Sequence, residues 1–376
     1  MITRKISIII ICIITLLSGC YNYKDIDEVI FTTAILLDEN EKGNIDAYQE
    51  LFRAKRGFGQ ELGKEVKLYY KATGKTAFEA LMDTSLNASE EIDDSQIKAL
   101  IFSEKAAKNG LGKYTDYFVR SQKPTVRMYM FIYEGDNPKD FINISTPEEE
   151  FLGLFLHSMM IANNDLIHLQ SLRLNEFRNE KNLGSKIALI PIIQKTDKES
   201  KKIEIEGAAI IKGDKMVARI SKSDLMSYRL ATVNGIFGHI IVERPDDHKG
   251  YVTLRIIDSK VSFSIKYDGK NIIINKNVEI ASSLVSSQYD EFNYNQQLRE
   301  KIQNRAEKQI AKKCSDVFYK FQKKDIDLYN ITRKVETEYP HLIKKKNQDE
   351  LLNMMKIGKV NVSVNILGSN NHIEKK

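Results

Sequence analysis

The chain has 376 residues with 57 basic and 51 acidic side chains, a net charge of +6, 42% hydrophobic residues, three cysteines and no tryptophan. This length exceeds what one small core organises and implies two or three compact units. The positive excess is small and interspersed, so it does not indicate a nucleic-acid partner, and its densest cluster, Lys344-Lys345-Lys346, reads as a solvated face.

Arg4 and Lys5 precede an aliphatic run from Ile6 to Leu17, which ends in Leu17-Ser18-Gly19-Cys20. The run is about half of the roughly 20 residues that a membrane-spanning helix needs. Small residues followed by cysteine form the cleavage pattern of a lipoprotein signal peptide. Residues 1–19 are therefore expected to be removed and Cys20 to become the lipidated first residue, with residues 20–28 as a polar tether. Two acyl chains hold a domain on a bilayer where one binds only reversibly, at about 0.8 kcal/mol per buried methylene. The expected location is the outer side of the cell membrane. Cys12 leaves with the leader and Cys20 is acylated, which leaves Cys314 without a partner for an intramolecular disulfide.

The β-branched stretch Val29 to Leu37 reads as a buried strand, and a turn containing Gly43 returns the chain through Ile45 to Leu51 as a hairpin. A loop bearing Gly57, Gly59 and Gly63 leads to a strand from Val66 to Tyr70. From Lys75 the period changes, and Phe78, Leu81, Met82 and Leu86 share one helical face. Gln96 to Phe102 reads as strand, Ser103 as the N-cap of a short helix that stops at Gly110, Tyr114 to Arg120 as helix, and Val126 to Tyr133 as strand. Pro147 and the acids Glu148 to Glu150 suit a helix N-terminus, with the helix running on through Leu152, Phe155, Leu156 and Met159. A helix around Leu169 to Phe177 and a strand from Ile187 to Ile193 complete the first half.

The polar run Lys195 to Lys202 is the expected boundary between an N-terminal unit, 29–195, and a C-terminal unit, 203–367. Beyond it come a hairpin, Ile203 to Ile211 and Met216 to Ile220, and a helix from about Ser223. Strands are expected at His239 to Val242, Tyr251 to Ile257, Val261 to Tyr267 and Ile272 to Ile280, with Asp268-Gly269 as a tight turn. Leu298, Ile302, Ala306, Ile310, Cys314, Val317, Phe318 and Phe321 recur at steps of three and four, so one stripe of a long helix faces a core and takes Cys314 inside as a packing residue. A shorter helix, a closing strand from Lys359 to Ile366 and a frayed tail over residues 368–376 end the chain. Hairpins and helices out of strict βαβ order imply an α+β class, multidomain, with mixed and mostly antiparallel sheets packed with helices.

No catalytic, cofactor or metal residue emerges. Ala72-Thr73-Gly74-Lys75-Thr76 resembles the end of a phosphate loop, but its earlier glycine would fall at Tyr69. None of His157, His168, His239, His248, His341 and His372 forms a pair spaced for a zinc-binding helix, and no nucleophile elbow occurs.

Gly19-Cys20-Tyr21 followed by Asp25-Ile26-Asp27-Glu28 resembles the start of the Ger(x)C family of spore germination lipoproteins, with tyrosine where that family usually has tryptophan. Glu206-Gly207-Ala208-Ala209-Ile210-Ile211-Lys212-Gly213-Asp214-Lys215-Met216-Val217 is similar to the family's most specific hairpin. The long helix, Asp325 to Tyr329, Tyr339-Pro340 and the final strand resemble its closing section, although Asp327, Leu328, Tyr329 and Asn330 stand where the family shows glycines and aromatics. The resemblance implies a non-enzymatic C subunit of a nutrient germinant receptor, on the outer face of the spore inner membrane, assembled with integral membrane A and B subunits. Only Cys20 carries over with a chemical role. A solute-binding lipoprotein that delivers a ligand to a transporter shares the leader and is the alternative, and a lipid-anchored hydrolase is a third reading.

Overall fold

The structure is a computed structural model that describes residues 29–53, 66–121, 126–196, 202–243, 250–287 and 296–367. Cys20, the tether, Gly57, Gly59, Gly63, His248, His372 and the tail 368–376 lie outside the described residues.

The first half is built on a nine-stranded sheet. Its strands are β1 (Val29–Glu39), β2 (Ile45–Arg53), β3 (Val66–Gly74), β4 (Glu91–Asp93), β5 (Ala99–Ser103), β6 (Tyr129–Tyr133), β7 (Ile187–Lys195), β8 (Ile203–Lys212) and β9 (Lys215–Ile220). They lie in the order β3-β2-β1-β5-β6-β7-β8-β9, with β4 beside the start of β1. β1, β5, β6 and β7 run parallel, while β2, β3, β8 and β9 pair antiparallel on the two flanks. A parallel centre was not part of the sequence expectation. It explains the unbroken burial of β5, β6 and most of β1, because helices cover both faces of such a sheet.

One face is covered by α1 (Ala77–Asn87), α2 (Glu104–Asn109), α3 (Gly112–Arg120) and α6 (Leu174–Glu180), which enclose Ile35, Leu100, Phe102, Tyr114, Phe118 and Phe177. The other is covered by α4 (Pro138–Ile142) and α5 (Leu152–Asn163), around Leu36, Ile101, Phe131, Phe141 and Leu156. Ser103 caps α2 as expected, accepting from the Ala106 N–H at 3.0 Å. Two helix boundaries move. α5 begins at Leu152 rather than at Pro147, and the helix expected over Leu169 to Phe177 forms at Leu174–Glu180. The polar run forms the connection between β7 and β8, so β8 and β9 continue the first sheet from beyond the expected boundary.

After α7 (Lys222–Leu230), a four-stranded sheet follows in the order β10-β11-β12-β13, made of β10 (Gly238–Glu243), β11 (Tyr251–Tyr267), β12 (Ile272–Ser287) and β13 (Met355–Leu367). β11 is one strand where two were expected, because the register slips at Ile256/Asp258 without ending the ladder. The Asp268 carboxylate closes its turn with β12 by accepting from the N–H groups of Lys270 and Asn271, and Gly269 takes φ +95° there. Between β12 and β13 lie α8 (Gln296–Gln322), α9 (Ile331–Glu338), α10 (Pro340–Lys345) and α11 (Gln348–Met354).

α8 is 27 residues long, about 40 Å. Ile302, Ala306, Ile310, Cys314 and Phe318 enter the core over the second sheet, whereas Val317 and Phe321 enter a separate core against Ile187, Leu189, Ala208 and Ile210 of the first. Its polar side chains also occupy main-chain groups of β13, since Gln303 donates to the Val364 carbonyl, Glu307 accepts from the Val364 N–H and the Tyr319 hydroxyl accepts from the Ile357 N–H. The strand edge is thereby covered by the chain itself. Among the described residues no helix is long and apolar enough to cross a membrane.

Candidate functional site

Cys20, the one residue with a chemical role in the sequence reading, lies nine residues before Val29, where the described chain begins. Val29 pairs with Glu91 of β4 and Ile30 with Arg53 of β2. Arg53 forms a 2.8 Å ion pair with Glu90 beside them. α1 ends at Asn87, just before β4, so its C-terminal end and Val29 share one end of the sheet.

The helical face singled out in the sequence is turned outward. Phe78, Met82 and Leu86 are 52%, 42% and 78% exposed, and Leu81 alone of the four packs inward, with Ala77, Ala80 and Thr84. The inward face is that of Ala77, Ala80, Leu81 and Thr84, and the first turn lies so close to the end of β3 that a Cβ added at Gly74 would stand 2.5 Å from the Ala80 nitrogen. Thr76 caps α1 by accepting from the Glu79 N–H at 3.1 Å, and Glu79 accepts from the Lys75 N–H at 2.7 Å. The segment that resembles a phosphate loop is therefore a helix N-cap.

Two groups of buried charges stand out among the described residues. The fully buried Glu50 accepts from Thr33 Oγ1 at 2.7 Å and from the N–H groups of Leu152 and Gly153 at 2.7 and 2.8 Å, and pairs with Lys67 Nζ at 2.9 Å. It caps α5 from 102 residues away, which is why that helix starts at Leu152. Lys67 also donates to the Ile144 carbonyl at 2.8 Å, and its ammonium lies over the rings of Tyr69 and Phe151. Every lone pair in use is met by the chain, leaving an anchor for α5 rather than a reactive group.

In the second unit Lys276 is 1% exposed and donates to the Ala231 carbonyl at 2.8 Å. The rings of Phe263 and Tyr329 lie 4.7 and 4.5 Å from its ammonium. Burial pulls its pKa down to about 8. The neighbouring Cys314 thiol is pushed up to about 12 by burial and contacts the Ser227 carbonyl, so it is a packing group without thiolate character. Asp327, also buried, accepts from the N–H groups of Ile331 and Thr332 and from the Thr332 hydroxyl, capping α9, while burial raises its pKa. The alternation of β12 held a signal for Lys276, which occupies the inward parity set by Ile272, Ile274, Val278 and Ile280. Glu50 gave none, because both faces of β2 are covered.

The histidines stay apart from this chemistry. His157 packs against the Tyr129 ring at 5.7 Å, and burial, reinforced by Lys98 and Arg173, lowers its pKa. His168 is lowered by burial and then by His239. His341 lies among the rings of Tyr267 and Tyr339. Among the described residues no cluster of three or more histidine, cysteine or carboxylate side chains is placed to hold a metal ion.

Comparison with known proteins divides the chain where its polar run lies. Residues 22–195 match the family described as spore germination protein N-terminal domain, and residues 206–370 match spore germination B3/GerAC like, C-terminal. Spore germination protein GerQC of Bacillus cereus is 21% identical over 311 residues, covering 83% of this chain and 84% of that protein. Spore germination protein B3 of Bacillus subtilis is 23% identical over 320 residues, 81% of each chain. The fold is shared with the crystal structure of the GerBC protein, at a TM-score of 0.58 and 16% identity, over 89% of this chain and 97% of that one. The chain belongs to the GerAC family of spore-germination proteins, non-catalytic components of germinant receptors.

Proposed function

We propose that this protein is a membrane-anchored lipoprotein subunit of a nutrient germinant receptor, held by lipidated Cys20 on the outer face of the spore inner membrane and assembled there with integral membrane A and B subunits. The observation that carries the anchoring is the basic, apolar, small-residue-then-cysteine order of residues 4–20. The pairing of Val29 with Glu91, close in sequence to the end of α1, is compatible with a tether of this kind. Confinement to a membrane raises the effective concentration of a membrane partner without any new contact, which suits a subunit that works by docking. The breaks of the two family matches support reading 29–195 and 203–367 as the two units of the chain, joined through one sheet.

The test is Cys20→Ala. The substituted protein is expected to lose incorporation of labelled palmitate and to leave the membrane fraction. Undiminished membrane retention would contradict the anchoring, and co-purification of the unsubstituted protein with two polytopic partners would support the assembly.

A further inference from the structure

We propose that α1 is the face on which the anchored protein rests against the lipid bilayer, with Phe78, Met82 and Leu86 set into the interface. The inference rests on anchoring through Cys20 and adds which surface meets the membrane. The three side chains stand four residues apart, in line along the most outward part of the helix, and each is at least 42% exposed. The half-buried Tyr117 of α3 extends the apolar surface, its ring 5.5 Å from that of Phe78. A row of this kind on a short, partly apolar helix is how a protein lies in a membrane interface without crossing it.

The length and the end point of the chain outside the structure identify the occupant. The nine steps from Cys20 to Val29 span at most about 30 Å. Val29 is the strand neighbour of Glu91, about 5 Å away, and Leu86 precedes Glu91 by five residues, at most about 18 Å of chain. The reach of the tether thus exceeds the distance from its end to Leu86, and the acylated residue and the helix can meet one bilayer together. Glu79 and Asp83 border the row on one side, and Lys113 and Arg120 of α3 lie near its Phe78 end, where they pair with Glu39 and Asp116. With the border charges of mixed sign, the contact is apolar in character and does not need anionic lipid.

The experiment uses the full processed chain, lipidated at Cys20 and reconstituted in phosphatidylcholine vesicles whose acyl chains carry bromine quenchers. A bimane label at Met82→Cys is compared with one at Val217→Cys, an exposed apolar position on β9, the opposite edge of the sheet. Quenching several-fold greater at 82 than at 217 is expected, and Phe78→Glu with Leu86→Glu should abolish the excess while vesicle flotation persists. Flotation with equal quenching at both positions would overturn the contact face and leave the anchor intact. Failure of the unsubstituted protein to float would remove the anchor and this inference with it. A label at 82 that is shielded only by co-reconstituted polytopic partners would make α1 a protein interface and overturn the proposal.

Discussion

The two units each bury a lysine, and they treat it in opposite ways. Lys67 meets the Glu50 carboxylate and two main-chain carbonyls, with aromatic faces as a second layer. Lys276 meets one carbonyl and two aromatic faces and forms no ion pair among the described residues, where the Asp327 carboxylate acts on it only through space. Where a carboxylate of matching geometry is present, the buried charge becomes an attachment point, here for the first turn of α5. Where it is absent, desolvation dominates and the folded protein holds the ammonium only weakly.

The largest effect is expected from Glu50→Ala, which strands the Lys67 ammonium together with the Leu152 and Gly153 N–H groups and the Thr33 hydroxyl. Removing one partner of a buried pair costs about 3–5 kcal/mol. The midpoint of a urea titration should fall accordingly, and Lys67→Met in the same chain should recover a good part of the loss. A shift no larger than that of a surface substitution would show that the pair does not hold α5.

Lys276→Met should act with the opposite sign, raising stability by about 2 kcal/mol, since an apolar side chain of similar length replaces an unpaired charge. The pH dependence sharpens this. Below about pH 8 the lysine is protonated in folded and unfolded chains alike; from there towards the ordinary value of 10.5 the folded chain has released a proton that the unfolded chain keeps, so stability climbs with pH by up to about 3 kcal/mol. Cys314 opposes it from about pH 9, where the unfolded chain releases the thiol proton first. The diagnostic quantity is therefore the difference between the wild-type and Lys276→Met curves of stability against pH, which should narrow as pH rises through this range. Parallel curves would mean that the ammonium keeps its ordinary pKa in the folded protein, as a solvated lysine does.

The smallest effect concerns the buried Asp327. Thr332→Val deletes one of the three bonds that Asp327 accepts and leaves the two from main-chain N–H groups, so a loss of about 1 kcal/mol is expected by thermal denaturation. A loss approaching that of Glu50→Ala would place Asp327 with the paired type rather than with the helix-capped type.

These contrasts also mark what the sequence could tell. Strands with local hairpin turns, the cap at Ser103 and the inward stripe of α8 were legible because each is specified by residues within a few positions of one another. The start of α5 was not, because its capping carboxylate sits on β2, and the acids at 148–150 imitate the local signal. β11 read as two strands because Asp258 and Ser259 look like a turn, whereas Ser259 accepts from the Ile236 N–H within the fold. The face of α1 was misread because small residues were left out of the pattern: Ala77, Ala80 and Thr84 join Leu81 on the buried side, and Phe78 and Met82 fall outward. The parallel order of β1, β5, β6 and β7 depends on crossovers of unequal length, which leave no regular period to detect.

α8 has neither glycine nor proline between Gln296 and Gln322, and its apolar stripe enters one core from Ile302 to Phe318 and another at Val317 and Phe321. It is an axle without a joint. A rod of this kind has no built-in point at which to kink, so it resists bending between the two sheets that it touches.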